Sequence, residues 1–509
     1  MKKLTLLTLF AAMLGTAPWF YAKAAGGANA VVAAAPADAV APNDDVAPPP
    51  EVNVPGKELY TLFSINNVGF IDVCGCPKKK LRQGSVTRRS SFVKQLKARG
   101  RKVMMIDGGN TLFGPDDPRA EEFEKPQLVE KAKVIIEAYN RMDYKVMNVG
   151  HLDLTMGLEQ LKKFEEMANF PFICGNLAYK ESGKLVFPAT HEVEVHGVKV
   201  GFFGLILQEM QPSFYEKRAP GVVLLDGIEQ AKKFVPGLAE RNDIVFVLSY
   251  NKPEHHQKLI SEVEGIDFII DPYLDPFGTF IRGRIEEPDF MTLIDDVVLG
   301  RTKAEGHSLG TLDLRYLDES DKWVNRASIT EPAELEKIAD SSYHFWREKV
   351  EPHFLNDPEI DLLVEAFKKG AFENTPRLGN LPHKDRYLTE KTCQACHAEQ
   401  YAWWKKTDHA DAFESIERTG DQWRQDCIGC HTLGYGAAFV HPEDSEPYHN
   451  VQCESCHGTN PKHPSNPAAH KWPKIREMTC LKCHNKSQTR EDFKYPSKKR
   501  KVACPKMKR

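Results

Sequence analysis

The chain has 509 residues, 41% hydrophobic and 27% charged, with a formal net charge of −3. That length is too great for one ordinary domain, and the composition is that of a folded chain rather than a disordered or fibrous one. Near-neutral charge offers no polycation, so no nucleic-acid partner is expected.

The N-terminus starts Met1-Lys2-Lys3, continues through an apolar stretch from Leu4 to Phe20 and offers Ala22-Lys23-Ala24 as a small-residue cleavage site. This pattern predicts a secretory signal peptide over residues 1–24. The stretch is broken by Gly15 and Pro18, and no other run approaches the roughly 18 apolar residues of a membrane span, so no span is expected. No Cys precedes Cys74, which argues against an N-terminal lipid anchor. Residues 25–56 are rich in Ala and Pro, with Pro48-Pro49-Pro50, and read as a disordered linker. Export to the periplasm, or alternatively to the extracellular space, would permit disulfides among Cys74, Cys76, Cys174 and Cys504. Cys74-Gly75-Cys76 reads either as a redox or metal element or as the source of a structural disulfide to Cys174.

Over residues 57–320 buried-strand runs alternate with amphipathic patterns, which predicts an α/β domain. The strand runs are Leu59 to Ile65, Val103 to Ile106, Phe170 to Cys174, Val198 to Leu207, Asp243 to Leu248 and Phe268 to Ile270. Helical spacing of apolar residues recurs at Ser91 to Arg99, Leu128 to Arg141 and Leu158 to Met167. Residues 321–380 read as a helical spacer, with helices at Ala333 to Val350 and Ile360 to Lys369 parted by Pro352 and Asn356-Asp357-Pro358. From about Leu381 the texture changes to His, Cys, Trp and Lys with few apolar runs. Residues 381–495 form a candidate second domain, and 496–509 a basic tail.

That second domain holds four copies of Cys-x-x-Cys-His: Cys393 to His397, Cys427 to His431, Cys453 to His457 and Cys480 to His484. Two thiols one helical turn apart can each form a thioether to a haem vinyl group, and the adjoining His reaches the iron. The motifs therefore predict four covalently bound c-type haems, held by Cys393, Cys396, Cys427, Cys430, Cys453, Cys456, Cys480 and Cys483, with His397, His431, His457 and His484 as proximal ligands. Zinc pairs do not require a His directly after the second Cys, four times over. In such a segment the haems supply much of the buried apolar surface. A second imidazole on each iron would come from the non-motif residues His383, His409, His441, His449, His463 and His470. Met478 and Met507 are poorer candidates: Met478 lies two residues before Cys480, and Met507 in the tail.

Charge divides unevenly: residues 381–509 carry 22 Lys and Arg against 16 Asp and Glu, and residues 1–380 carry 46 against 55. Ionised haem propionates would cancel the C-terminal excess, leaving Lys498-Lys499-Arg500-Lys501 and Lys506 to Arg509 as a basic tail that either docks an acidic redox partner or is solvated.

Two resemblances add to this. Trp403 or Trp404 followed by Thr407-Asp408-His409-Ala410, and Asn450-Val451-Gln452 leading into the third motif with Gly458 and His463 after it, make residues 392–495 similar to the tetrahaem cytochrome c-554 family. The resemblance implies His409 and His463 as distal iron ligands, with His449 and His441 next, and electron transfer as the function. In that family one haem can lack a distal protein ligand.

Ser64 to Phe70, Asp107 to Thr111, Gly150 to Asp153, Leu248-Ser249-Tyr250 and Asp267 to Asp275 together resemble the metallophosphoesterase domain of the nucleotidase family, which holds two metal ions. The departures are many. The family's Asp-x-His is Asn66 and Val68 here, its bridging Asp is Asn110, and its Asn-His-Glu is His151, Leu152 and Asp153. Its Ser-His is Ser249-Tyr250, and its Gly-His-x-His is Pro272-Tyr273-Leu274-Asp275. Two divalent ions need carboxylates and imidazoles within about 2.0–2.2 Å of each metal, which Val, Leu and Tyr cannot supply. His255-His256 reads as a solvated pair, or with His151 and Asp153 as a different metal centre.

The expected fold is thus an α/β metallophosphoesterase-like sandwich followed by a mainly α, haem-packed multihaem cytochrome. The expected function is electron transfer between a periplasmic donor and acceptor protein, a carrier rather than an enzyme, with no catalytic residue assigned. Two alternatives remain at this point: redox chemistry on a small nitrogen or sulfur compound at a five-coordinate haem, and an active metal-dependent phosphoesterase.

Overall fold

The computed structural model describes residues 53–505 except 74–83, 116, 209–211, 272–290, 303, 319, 321, 330, 352, 379–380, 382–383, 471, 473 and 485–492. The expected signal peptide, most of the expected linker, Cys74, Cys76, Tyr273, Asp275, His383 and Met507 lie outside the described residues.

The first strands in chain order are β1 (Lys57–Ser64), β2 (Val103–Asp107), β3 (Tyr144–Asn148), β4 (Phe172–Ile173), β5 (Leu177–Tyr179), β6 (Thr190–Val195), β7 (Val198–Leu205) and β8 (Val222–Leu224). They are followed by β9 (Ile244–Ser249), β10 (Phe268–Ile270), β11 (Met291–Ile294), β12 (Val297–Gly300), β13 (Ser308–Tyr316), β14 (Trp323–Asn325) and β15 (Ser341–Lys349). One sheet has the order β14-β15-β13-β1-β2-β3-β4 and a second β11-β12-β10-β9-β7-β6, with β5 and β8 forming a small ribbon. β1 to β4 run parallel, as do β7, β9, β10 and β12.

Alternation along the strands builds the layers, because successive side chains leave opposite faces. Leu59 and Phe63 of β1, with Met104, Ile106 and Val146, meet Phe202, Phe246, Leu248 and Phe268 of the second sheet in the central core. The other face of β1, Tyr60 and Leu62, packs under helices α1 (Val86–Ala98), α2 (Lys125–Met142) and α3 (Leu158–Met167). Outside the second sheet, Phe203, Val245 and Ile269 pack against helices that follow α4 (Pro212–Arg218), namely α5 (Gly227–Ala239) and α6 (Pro253–Glu262). The result is a helix/sheet/sheet/helix sandwich.

The expected spacer at 321–380 is corrected. After the short helix α7 (Pro332–Leu335), residues 341–349 form β15, not the second half of a helix, and β15 sits inside the first sheet between β13 and β14. Tyr343 and Phe345 reach the central core while Trp346 reaches the outer one, so the segment is buried on both faces as an internal strand must be. The second expected helix does form, as α8 (Pro358–Glu373). Asp357 caps it, accepting from the Glu359 N–H, and Ile360, Val364 and Phe367 join the outer core beside α1 and α2. Residues 321–373 thus belong to the sandwich.

Beyond it come short helices at Thr389–Gln394, Ala398–Trp404, Ala412–Glu417, Gln425–His431, Cys453–His457, Glu477–Leu481 and Tyr495–Val502. Their apolar cluster is small: Ile428, Leu433, Ala438, Phe439 and Tyr448. Among the described residues no helix is long and apolar enough to cross a membrane.

Candidate functional site

The loops after β1, β2, β3 and β9 converge. Asn66 N–H bonds the Gly109 carbonyl and Val68 N–H the Asn110 carbonyl, both at 3.0 Å. Asn66, Val68 and Asn110 adopt left-handed φ of 47, 45 and 53°, an uncommon conformation and a costly one for β-branched Val68. Asn110 Nδ2 lies 3.3 Å from Asn66 Oδ1 and 3.5 Å from His151 Nδ1, and Asn110 Oδ1 accepts from the Leu152 N–H at 2.9 Å. Gly150 makes this approach feasible, since a Cβ there would stand 2.2 Å from Asn110 Oδ1. His151 meets the Tyr250 ring edge-on at 5.1 Å. Asp153 accepts from the backbone N–H groups of Asn110, Thr111, Leu112 and Gly150, and its burial pushes its carboxyl up to about 7.

The donors these loops bring together are amides, an imidazole against a phenol ring, and a carboxylate already engaged by peptide groups. This donor set does not fit a metal pair, and among the described residues no group of three or more His, Cys, Asp or Glu is placed to hold an ion. Cys174 is buried and carries no disulfide, its thiol 3.7 Å from Asn176 Oδ1, so the expected bridge from the 74–76 segment is not formed there.

His256 corrects another expectation. It is fully buried on α6, with Nε2 2.9 Å from Ser249 Oγ and Nδ1 3.5 Å from Asp271 Oδ2, and Arg301 Nε donates to the same carboxylate at 2.7 Å. Against the burial that would raise it, His256 and Arg301 hold Asp271 below the usual carboxylate range. Ser-His-Asp order alone does not make a nucleophile; all three side chains are sealed from solvent.

In the C-terminal part each Cys-x-x-Cys-His lies on a helical turn or at its end. The Cys393 thiol lies beside that of Cys453, and the Cys483 thiol beside that of Cys430, so the first motif adjoins the third and the fourth adjoins the second. The His397 and His463 rings stand 6.1 Å apart and within 19° of parallel, and His409 and His484 stand 6.1 Å apart at 44°. Imidazoles on opposite sides of one metal, each bonded at about 2.0 Å, have ring centres about 6 Å apart. His463 Nδ1 is 2.7 Å from the His470 carbonyl and His431 Nδ1 2.6 Å from that of Ala412, the outer hydrogen bond that turns Nε2 toward a metal. These residues fit haem iron.

The other two candidates are engaged differently. His449 lies flat on Phe413 at 3.4 Å with Nε2 2.9 Å from Ser445 Oγ, and His441 caps a short turn through Nδ1 and meets Phe372. Met478 is exposed.

The sandwich touches the second motif directly. Gln127 on α2 donates to the Trp423 carbonyl at 3.0 Å and accepts from the Gln425 N–H at 2.7 Å. Lys131 Nζ donates to both Asp426 oxygens at 3.1 Å, and Lys368 Nζ lies 2.7 Å from Asp72 and 3.6 Å from Asp421. Nothing in the sequence pattern marked Lys131, Lys368, Arg424 or Asp426; only their location inside a joint shows them.

Residues 392–458 match the family model described as "Cytochrome c554 and c-prime". The chain is 33% identical over 88 residues to cytochrome c-554 of Nitrosomonas europaea, covering 13% of this chain and 36% of that protein. It is 24% identical over 173 residues to a 5'-nucleotidase of Vibrio cholerae, covering 33% of this chain and 30% of that one. Among solved structures it is similar to a 5'-nucleotidase precursor from Thermus thermophilus, with a TM-score of 0.47, 19% identity and coverage of 62% of this chain and 59% of that one. The chain thus spans only about a third of the length of the curated relatives it matches. It joins a nucleotidase-like region to a c-type cytochrome segment, and a c-type cytochrome segment implies c-type haem.

Proposed function

We propose that the protein is an exported tetrahaem c-type cytochrome that carries electrons between periplasmic donor and acceptor proteins, with its sandwich serving as a scaffold that has no phosphoesterase activity. When attached, each haem supplies an iron that gains or loses one electron. The observation that carries the proposal is the pair of imidazole pairs, His397 with His463 and His409 with His484, each joining a Cys-x-x-Cys-His motif to a His from elsewhere.

The chain's own part is to hold these rings still. His463 is oriented by the His470 carbonyl, and Trp404 Nε1 donates to the Val451 carbonyl at 2.9 Å. That bond ties the first motif's helix to the approach to the third. Glu454 accepts from the Leu388 and Thr389 N–H groups, tying the first and third motifs again. Ligands that barely move between oxidation states suit electron transfer, and adjoining motifs suit passage from one centre to the next. The signal-peptide pattern over residues 1–24 supports export, and c-type attachment takes place outside the bacterial cytoplasm.

Intact mass of the protein from a host competent in cytochrome c assembly tests the count: four haems are expected, and fewer would overturn it. Supplying manganese and a panel of nucleotides tests the sandwich. No phosphate release is expected, and measurable turnover would overturn the account of Asn66, Val68, Asn110, Leu152 and Tyr250.

A further inference from the structure

Six charged side chains meet where the sandwich joins the second Cys-x-x-Cys-His motif. The sandwich contributes Lys131, Lys368 and Asp72; the cytochrome segment contributes Arg424, Asp421 and Asp426. At the rim of these six, half-exposed Glu365 of the sandwich also reaches Lys368 at 3.2 Å, so the sandwich side is neutral and the cytochrome side carries one negative charge. The Lys131, Lys368 and Arg424 side chains are 6, 7 and 10% exposed, and Asp426 is 30% exposed. Charges this sheltered are little screened by salt.

The cluster is fixed relative to the motif. Arg424 caps the helix Gln425–His431, its carbonyl accepting from the Cys427 and Ile428 N–H groups at 2.9 Å, while its guanidinium bonds Asp421 at 3.0 Å and Asp426 at 3.2 Å. Gln127 grips the residues on either side of Arg424. Asp426 immediately precedes Cys427, and Lys131 and Arg424 hold its carboxyl down to about 2 against the partial loss of its hydration. It is therefore ionised, and Lys131 is the cation that the other domain brings to it. A joint built only for cohesion has no need of this arrangement, because well-packed apolar residues commonly serve as well as a buried ion pair.

We infer that Lys131, a residue of the nucleotidase-like sandwich, is a positioning residue that raises the reduction potential of the haem attached through Cys427 and Cys430. The inference rests on the proposed haem attachment at that motif. A fixed positive charge favours the ferrous state, which carries one positive charge less than the ferric state. Without Lys131 the Asp426 carboxylate is left less compensated beside the motif, and the ferric state gains. The sandwich would then be part of the redox circuit's tuning rather than only its support.

The test is a spectroelectrochemical titration of the holoprotein and of three variants, with the wave of the second motif assigned as the one that His431→Met displaces. In Lys131→Met the ferrous-to-ferric ratio of that haem at a fixed potential should fall about tenfold, equivalent to a midpoint about 59 mV lower for one electron. Asp426→Asn should move the same wave upward, and Lys131→Arg should stay within about twofold of wild type. Shifts of the same sign in Lys131→Met and Asp426→Asn, equal shifts of all waves, or no shift would each overturn the inference. If the wild-type protein has no wave that His431→Met displaces, the haem assignment at that motif fails and the inference with it. If that wave exists but ignores both charges, the carrier proposal stands and this inference alone falls.

Discussion

At the scale of residues, the Cys-x-x-Cys-His motifs were legible because attachment chemistry fixes their spacing, whereas no spacing rule links a haem iron to its second imidazole. His463 and His409 each come from a segment far along the chain from the motif they face, and only the fold sets the two 6.1 Å ring separations. His449 and His441, ranked next by the resemblance, are occupied by Ser445 and Phe413, and by Phe372. A discriminating experiment follows from that difference. His463→Ala and His409→Ala should each open one iron, so that the reduced variant binds carbon monoxide with a spectral shift at one haem that wild type lacks. His449→Ala should leave the carbon monoxide spectrum unchanged. Carbon monoxide binding in His449→Ala but not in His463→Ala would reverse the assignment.

At the scale of elements, runs such as Phe268 to Ile270 read directly as strands, and Leu158 to Met167 read directly as a helix, because one period dominated each. β15 did not. Its two faces are both buried, so period 2 is masked, and the apolar residues before it extend a helical pattern that stops at α7. The strand carries its own test in His344, which burial, aided by the Arg326 charge, lowers to about 4. The unfolded chain takes up this proton as pH falls through about 6.5, the fold only near 4, so stability is complete above about 6.5 and is lost between the two values. His344→Gln should remove an acid loss of up to about 3 kcal/mol, read as the difference in unfolding free energy between the two proteins at pH 7 and pH 4.5. The difference is the proper quantity, because Asp153 and Asp267, raised by burial to about 7 and about 6, titrate with opposite sign in both proteins. An identical pH profile for wild type and variant would refute it. The C-terminal helix Tyr495–Val502 is a second such element. Tyr495 Oη anchors it to the Ile475 carbonyl at 2.9 Å beside the fourth motif, and Lys498, Lys499, Arg500 and Lys501 are exposed. Replacing these four by Gln should slow association with an acidic redox partner about tenfold at low salt and flatten its salt dependence, measured by stopped-flow electron transfer. Unchanged salt dependence would mean that the helix is merely solvated.

At the scale of the whole molecule, the nucleotidase-like region and the cytochrome segment meet through charged side chains beside the second motif. In the first of the loops that converge on Asn110, Gly69 lies against Lys131, whose ammonium is 3.4 Å from where a Cβ would stand, and Lys131 points on to Asp426. A few residues further, Asp72 binds Lys368, which also reaches Asp421 and the Thr419 carbonyl. The cytochrome segment therefore docks beside these loops through charges together with the Phe123–Tyr435 and Phe372–Trp423 ring contacts. Such a joint fails asymmetrically, since removing Lys368 takes from sheltered Asp72 the cation that binds it, while Asp421 keeps Arg424. Lys368→Met should cost about 3–5 kcal/mol, whereas Asp72→Asn added to it should recover part of that loss. Calorimetry should show one unfolding transition in wild type and two in Lys368→Met, as the sandwich and the haem-bearing segment cease to report on each other's folding. A cost below about 1 kcal/mol with a single transition retained would mean that Gln127 and the Phe123–Tyr435 ring contact at 5.7 Å hold the joint without the charges. The cluster beside the second motif would then be present for its field alone, which makes the stability measurement and the potential measurement complementary readings of the same six residues.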